Sequence, residues 1–396
     1  MDKNVLKEHI KYILNFWREA IEFDGGGVHY QVDNYGHGVI RQNKKCLLMH
    51  ARQLYDFSVG SEFDIGDSQN VAEHLYNTLD LVFERHDGIY KSFNESENSA
   101  ETDNLSSYDM FYVIIGLSRF AKSFKRKDAY SRAKEVYFKT VDFFKDKEIS
   151  KGGCFANFSI SQNRYFGKSG NATLHFLEAT TNLTAAAKEI FNGRDLEEEI
   201  TELSVYLGSI YELFIQKVYN SDQQVTYEFF NDDYTPSDEQ TYGYATGAHC
   251  LEWFGFYFEL NTLIGEKTDF LENQAKTLVN TAVERCVANN GFLKNDYYLQ
   301  EGFALPRASF WSQSEFILGL MYAYKYFADE RYLKLADKMF AYYLENFIDQ
   351  KFGGIFSDLY LIDGKTVVVN RNKGFSMKCD HHSLRMCEKI LSVCYN

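Results

Sequence analysis

Proline is the scarcest residue in this 396-residue chain: only Pro236 and Pro306 occur, and both fall between stretches of helical pattern. So few breakers over such a length point to a mostly helical fold. Basic charge is short too. Against 56 Asp and Glu stand 42 Lys and Arg, a net charge of −14, which argues against a nucleic-acid or anionic-membrane partner. No apolar run reaches the roughly 18–20 residues of a membrane span, and Met1 to Trp17 mixes charged with apolar residues, so neither a transmembrane segment nor a signal peptide is expected. The seven cysteines form no CxxC pair, which reads as free thiols in a reducing cytoplasm. HExxH and EF-hand spacings are missing, as are GxGxxG after a strand and GxxxxGK before Ser or Thr. No catalytic metal, nicotinamide or P-loop nucleotide is therefore expected. What the chain has in plenty is apolar and aromatic side chains, 45% hydrophobic with 34 Phe and 29 Tyr, which excludes disorder as its main state.

A glycine turn followed by a short aromatic, strand-like run recurs along the chain. It appears at Gly25-Gly26-Gly27-Val28-His29-Tyr30, Asp87-Gly88-Ile89-Tyr90, Gly152-Gly153-Cys154-Phe155, Gly291-Phe292-Leu293 and Gly353-Gly354-Ile355-Phe356. A version without glycine, Val225-Thr226-Tyr227-Glu228-Phe229, completes the series at intervals of 63 to 73 residues. Such a period marks an internal repeat. Between the turns the apolar pattern predicts helices near 3–22, 45–60, 68–85, 107–124, 128–146, 172–191, 195–219, 248–264, 268–289, 309–327, 331–348 and 377–394. Twelve helices in six hairpins, joined by short β-hairpin-like turns, suit an all-α (α/α)6 barrel, a closed toroid formed by 1–396 as a single domain. Charged faces on 128–146 and 195–219 mark outer helices. The even-numbered stretches, small and aromatic on nearly all faces, mark the inner ring.

Three predicted inner helices carry a histidine and a charged residue three positions on: His175 and Glu178, His249 and Glu252, His382 and Arg385. That spacing puts both side chains on one helix face. All three lie near helix N-terminal ends, which a toroid brings to one mouth. Arg52, Tyr108, Asp109, Phe310, Trp311 and Glu315 occupy comparable places in other inner helices. Each pair alone is compatible with a structural histidine, and Trp311 with plain core packing; three pairs at equivalent places point to a shared site. Histidines on two sides of a pocket suit proton transfer near neutral pH, and a glutamate three residues on can hold one ring nitrogen and set the tautomer. Aromatics beside carboxylates suit a sugar, whose C–H face stacks while its hydroxyls need polar partners. Asp380, His381 and His382 are contiguous, but helix neighbours point about 100° apart and cannot all face one ion.

Six segments carry a resemblance. They include Leu48-Met49-His50-Ala51-Arg52-Gln53, Tyr108-Asp109-Met110-Phe111 and Asn171-Ala172-Thr173-Leu174-His175-Phe176-Leu177-Glu178-Ala179. Gly247-Ala248-His249-Cys250-Leu251-Glu252, Phe310-Trp311-Ser312-Gln313-Ser314-Glu315 and Lys378-Cys379-Asp380-His381-His382-Ser383-Leu384-Arg385 follow in order. Together they resemble the N-acylglucosamine 2-epimerase family, which includes cellobiose 2-epimerases and the mannose and sulfoquinovose isomerases. The resemblance implies a cofactor-free sugar epimerase or isomerase acting at C2 of an open-chain aldose. One histidine removes the C2 proton, an enediolate forms, and a second histidine returns a proton to C2 or to C1. By position these bases are His249 and His382. Arg52 would stabilise the enediolate oxygen, Glu252 would orient His249, and His175 would assist ring opening or hold hydroxyls. Tyr108, Asn171, Phe310, Trp311, Glu315, Glu178 and Arg385 would bind the sugar. Asp380, beside the second base, would raise its pKa. A small-molecule sugar partner, a cytoplasmic setting and a monomer or homodimer complete the expectation.

Two other classes stay open at this stage. The same barrel hosts glycoside hydrolases, for which Glu252 and Glu315 would be the carboxylate pair. A non-catalytic glycan-binding protein is the other. The hydrolase reading requires either glutamate to be essential and His249→Ala to be mild.

Overall fold

In the computed structural model every residue is described except 34–37, 96–97, 148–151, 238–243, 266 and 396. His37 therefore lies outside the described residues. Twelve ring-forming helices are seen among the described residues: α1 Lys3–Arg18, α2 Leu47–Glu62, α3 Ser68–Val82, α4 Ser107–Phe124, α5 Lys127–Phe144, α6 Gly170–Ile190, α7 Gly193–Leu213, α8 Gly247–Ile264, α9 Ala275–Cys286, α10 Phe310–Phe327, α11 Glu330–Asn346 and α12 His381–Lys389. The even-numbered helices pack side by side in the order α2, α4, α6, α8, α10, α12, and α12 returns to α2. That contact closes the inner ring. The chain ends meet as well, since the Tyr395 hydroxyl donates to the Met1 carbonyl at 2.5 Å. The fold is the expected (α/α)6 toroid.

Burial follows from this arrangement. Every residue of α2 from Leu47 to Gly60 is buried, and α4 is buried from Asp109 to Ala121, because an inner helix has neighbours on all sides. The outer α1 buries one stripe, Leu6, His9, Ile10, Ile13, Leu14 and Trp17. All seven cysteines are free, and six of them are buried as small apolar groups. No described helix is long and apolar enough to cross a membrane.

The repeated turns are hairpins or single bridges that tie each outer helix to the chain leaving it: Ile21 with Val28, Arg85 with Tyr90, Lys145 with Cys154, Tyr219 with Thr226, Val287 with Leu293 and Ile348 with Ile355. A second set of pairings joins neighbouring repeats. Cys46 bridges Phe93, Ser106 pairs with Asn157, Ser169 with Phe229, Thr246 with Asp296, Ser309 with Asp358, and Val32 with Gly374. These residues precede or face the N-termini of the inner helices, so they form a collar around one mouth of the ring. Serine caps fix several of those N-termini: Ser106 accepts from the Asp109 amide at 3.2 Å and Ser169 from the Ala172 amide at 3.1 Å.

Four helix boundaries differ from expectation, the first being α1, which ends at Arg18 and not 22. The stretch 268–289 is split at Gln274, whose φ of −123° interrupts the helix between Asp269–Asn273 and α9. The stretch 195–219 ends in a π turn at Phe214–Val218. The last helix begins at His381, not 377, because Asp380 has φ 61°, which a right-handed helix cannot contain.

Candidate active site

The collar and the inner-helix N-termini enclose a cavity of about 280 Å³. Its walls include Arg52 from α2, Tyr108 from α4, Asn171 and His175 from α6, His249 and Glu252 from α8, Phe310 and Trp311 from α10, and His382 from α12. Nine of the twelve residues expected at the site thus meet there. The other three, Glu178, Glu315 and Arg385, are buried behind the wall and do not line it. Glu178 and Glu315 instead face the Nδ1 atoms of His175 and His382, and Arg385 binds both carboxylates. Each of these helices points its positive dipole end at the cavity, a setting that favours a developing anion.

His382 and His249 flank the same indole, with ring centroids 6.0 and 5.0 Å from Trp311. His382 Nδ1 lies 2.9 Å from Glu315 Oε1, and Glu315 Oε2 accepts from Arg385 Nη1 at 2.8 Å. The proton on Nδ1 faces Glu315, leaving the Nε2 lone pair to accept from Arg52 Nη2 at 3.3 Å. Burial, then the Arg52 and His175 charges, push the His382 pKa well below its ordinary value. Asp380 plays no part in this. Its carboxylate takes the Trp17 indole N–H at 2.9 Å and the buried Lys378 ammonium, so the expected upward shift is overturned. The neighbouring His381 points elsewhere, with Nδ1 2.7 Å from Asp56, and does not line the cavity.

His249 differs. Its Nδ1 lies 2.7 Å from Glu228 Oε2, and Glu252 Oε2 is 3.8 Å from Nε2. The carboxylate that orients His249 is Glu228, which corrects the role expected for Glu252. Burial alone would lower the His249 pKa, but the adjacent Glu228 carboxylate raises it to about 9. Glu228 immediately precedes the strand Phe229–Phe230, which pairs with Lys168–Ser169 just ahead of α6. Gly170 makes that passage possible: a Cβ there would meet the Tyr227 carbonyl at 2.4 Å. Glu228 Oε1 also accepts from the Thr246 amide at 3.2 Å, which anchors Glu228 to the start of α8. No histidine lies near Glu228 in sequence, and its place in the Val225–Phe229 repeat run is the signal the chain offers for it.

His175 follows the expected pattern, with Nδ1 2.7 Å from Glu178 Oε2. Burial would raise the Glu178 pKa, but Arg385 and His175 bring it down to about 2. Arg385 therefore binds three carboxylates, Glu178 at 3.1 Å, Glu259 at 2.7 Å and Glu315 at 2.8 Å. Arg52 has no carboxylate hydrogen-bonded to it among the described residues. It donates to the Met377 carbonyl at 3.0 Å and to the Tyr108 hydroxyl at 2.8 Å, and its guanidinium lies over Tyr112. A buried cation without a paired anion is a ready partner for negative charge formed on a ligand. One donor atom each from Glu252, Glu315 and His382 lies within 4.8 Å of the others. Arg385 and Arg52 already supply fixed positive charge at this group, so it suits a shared proton better than a metal ion.

The profile of N-acylglucosamine 2-epimerase (GlcNAc 2-epimerase) matches residues 17–376. The cellobiose 2-epimerase of Dictyoglomus turgidum is 25% identical over 415 aligned positions, covering 99% of this chain and 99% of that protein. Among solved structures, a D-mannose isomerase superposes with a TM-score of 0.82 at 19% identity, covering 98% of this chain and 97% of that one. The cellobiose 2-epimerase of Bacillus thermoamylovorans gives 0.79 at 20% identity, covering 98% and 99%. With its closed ring of paired helices and a profile match over most of its length, the chain belongs to the N-acylglucosamine 2-epimerase family.

Proposed function

We propose that the protein epimerises a free aldose at C2, or isomerises it to the ketose, by proton transfer through an enediolate. The observation that carries this reading is the pair of imidazoles on one cavity with opposite proton affinities and an unpaired guanidinium beside one of them. At neutral pH His382 offers a neutral Nε2 and His249 a protonated ring, so a base and an acid stand ready together. His382 Nε2 takes the C2 proton, and Arg52, 3.3 Å from that nitrogen, receives the negative charge on the adjacent oxygen. Return of a proton from His249 to the other face of C2 gives the epimer; return by His382 to C1 gives the ketose. His175, its Nδ1 on Glu178, presents Nε2 to the cavity for opening the sugar ring. Trp311 and Phe310 stack on the sugar. The whole chain acts as one catalytic unit, since every inner helix but one contributes a side chain to the scheme and all six close the ring.

The hydrolase alternative is weaker. Glu315 is buried behind the wall with its oxygens committed to His382 and Arg385, so it cannot flank a scissile bond opposite Glu252. The names of the relatives suggest mannose and cellobiose as first substrates. Incubation with a panel of aldoses in deuterated water, read by NMR, tests the reading. Deuterium at C2 with epimer formation marks epimerisation, and label at C1 of a ketose marks isomerisation. No incorporation with any aldose would sink the proposal.

A further inference from the structure

An inversion that uses two bases leaves them in the wrong state. After His382 has taken a proton and His249 has given one, His382 is charged and His249 is neutral. A second substrate molecule of the same configuration needs the reverse. The surplus proton has to cross the cavity before the next turnover.

We propose that Glu252 carries protons from His382 to His249 and so restores the pair after each inversion at C2; the proposal rests on the epimerase reading above. Glu252 stands where a carrier must. It lies one helical turn past His249 on α8 and lines the cavity, with Oε2 3.8 Å from His249 Nε2. A donor atom of Glu252 lies within 4.8 Å of one on His382, a gap that a single water or a sugar hydroxyl spans. Its Oε2 is buried and has no hydrogen-bond partner among the described residues. A buried polar atom left alone in a native fold needs an explanation. The orienting task that would have explained it belongs to Glu228.

The groups facing Glu252 favour a neutral carboxyl with a proton to give. Burial and the Glu315 charge from α10 raise its pKa well above the ordinary carboxylate value, with Glu178 from α6 adding to them; His249 and Arg385 from α12 oppose this and do not prevail. The transfer is then a concerted relay. The His382 Nε2–H bond breaks as an O–H bond forms on the bridging water or hydroxyl, whose own O–H bond breaks as one forms on a Glu252 oxygen, while the Oε2–H bond breaks as an Nε2–H bond forms on His249. The carboxyl remains neutral with its hydrogen on the other oxygen, and rotation about its C–C bond restores it. No electron pair leaves the system and no co-reactant is consumed. Isomerisation by His382 alone returns the proton it took, so it needs no such carrier.

Chemical rescue in the full-length protein tests the relay, using an aldose that the wild type epimerises. Glu252→Ala is expected to slow steady-state epimer formation about a hundredfold. Added formate or imidazole, small enough to enter the vacated space, should then raise the rate in proportion to its concentration, while the wild-type rate stays independent of it. Glu252→Gln, close in shape, should be equally slow if Ala perturbs the fold, which a circular-dichroism melt detects. Glu252→Asp should keep part of the wild-type rate. A variant that turns over at the wild-type rate, or a slow one that ignores both buffers, would overturn the relay. So would a wild type that forms only ketose, since a single base needs no reset. A wild type that exchanges no C2 proton with any aldose would instead sink the parent reading, and that result comes before any variant is made.

Discussion

His249 and His382 each set Nδ1 against a buried carboxylate, at 2.7 and 2.9 Å, yet they hold protons with opposite strength. The carboxylates do not account for the difference. Glu228 stands beside His249 with no arginine hydrogen-bonded to it among the described residues, whereas Glu315 shares its charge with Arg385 and His382 also meets Arg52. Near His382 the fixed positive charges cancel the carboxylate, and burial then decides the outcome. Two identical side chains acquire opposite proton affinities through the placement of arginines on α2 and α12.

The comparison breaks most plainly if either ring is removed. His249→Asn and His382→Asn are each expected to reduce epimer formation by about 10³-fold or more. Each variant should still exchange the C2 proton of the one epimer whose hydrogen faces the remaining base, as seen by NMR in deuterated water. Loss of exchange with both epimers in both variants would refute the division of labour.

Arg52→Ala removes the cation beside His382 and, on the proposed mechanism, the partner of the enediolate, so kcat should fall about 10²–10³-fold. A pH profile sharpens the test. Without Arg52 the His382 pKa rises toward its ordinary value, so the acid limb of the residual kcat/KM moves to higher pH.

Glu228→Gln acts on the other ring. Wild-type His249 keeps its proton up to about pH 9, so kcat/KM should fall on the alkaline side through that value. In the variant the pKa drops toward the ordinary 6.5, and activity at pH 8 should fall about tenfold while activity near pH 6 changes little. An unmoved alkaline limb would remove Glu228 from the account.

The smallest effect on activity is expected far from the mouth. Arg119, near the C-terminal end of α4, binds Glu388 at 3.1 Å and Glu62 at 2.7 Å. Arg119→Ala should cost about 3–5 kcal/mol in urea unfolding, because it strands the buried Glu388, while activity per folded molecule is kept. Burial would raise the Glu388 pKa, but Arg119 holds it at about 2. That stabilisation is present above the ordinary value of 4.5 and is lost as pH falls toward 2, so the variant should differ least from wild type in acid.

Much of this architecture was legible in the chain. The six turns recur as written, and each marks a hairpin or a bridge where an outer helix ends. The i, i+3 spacing identified His175 and Glu178 as a bonded pair, because a helix makes that contact local. The same rule misled at His249, whose partner Glu228 lies 21 residues earlier on a different element. It also hid the purpose of Arg385, which meets His382 only through Glu315 on α10. Asp380 departs from expectation for a related reason: Trp17, from the far end of the chain, donates its indole N–H to the carboxylate.

The one-dimensional pattern by itself determined the helices, their inner and outer order and which histidines lie near the mouth, since periodicity and turn chemistry act over a few residues. Only the closed ring decided which imidazole holds its proton. Proton affinity depends on burial and on charges within a few ångströms, and those charges come from helices that neighbour one another in space but not along the chain.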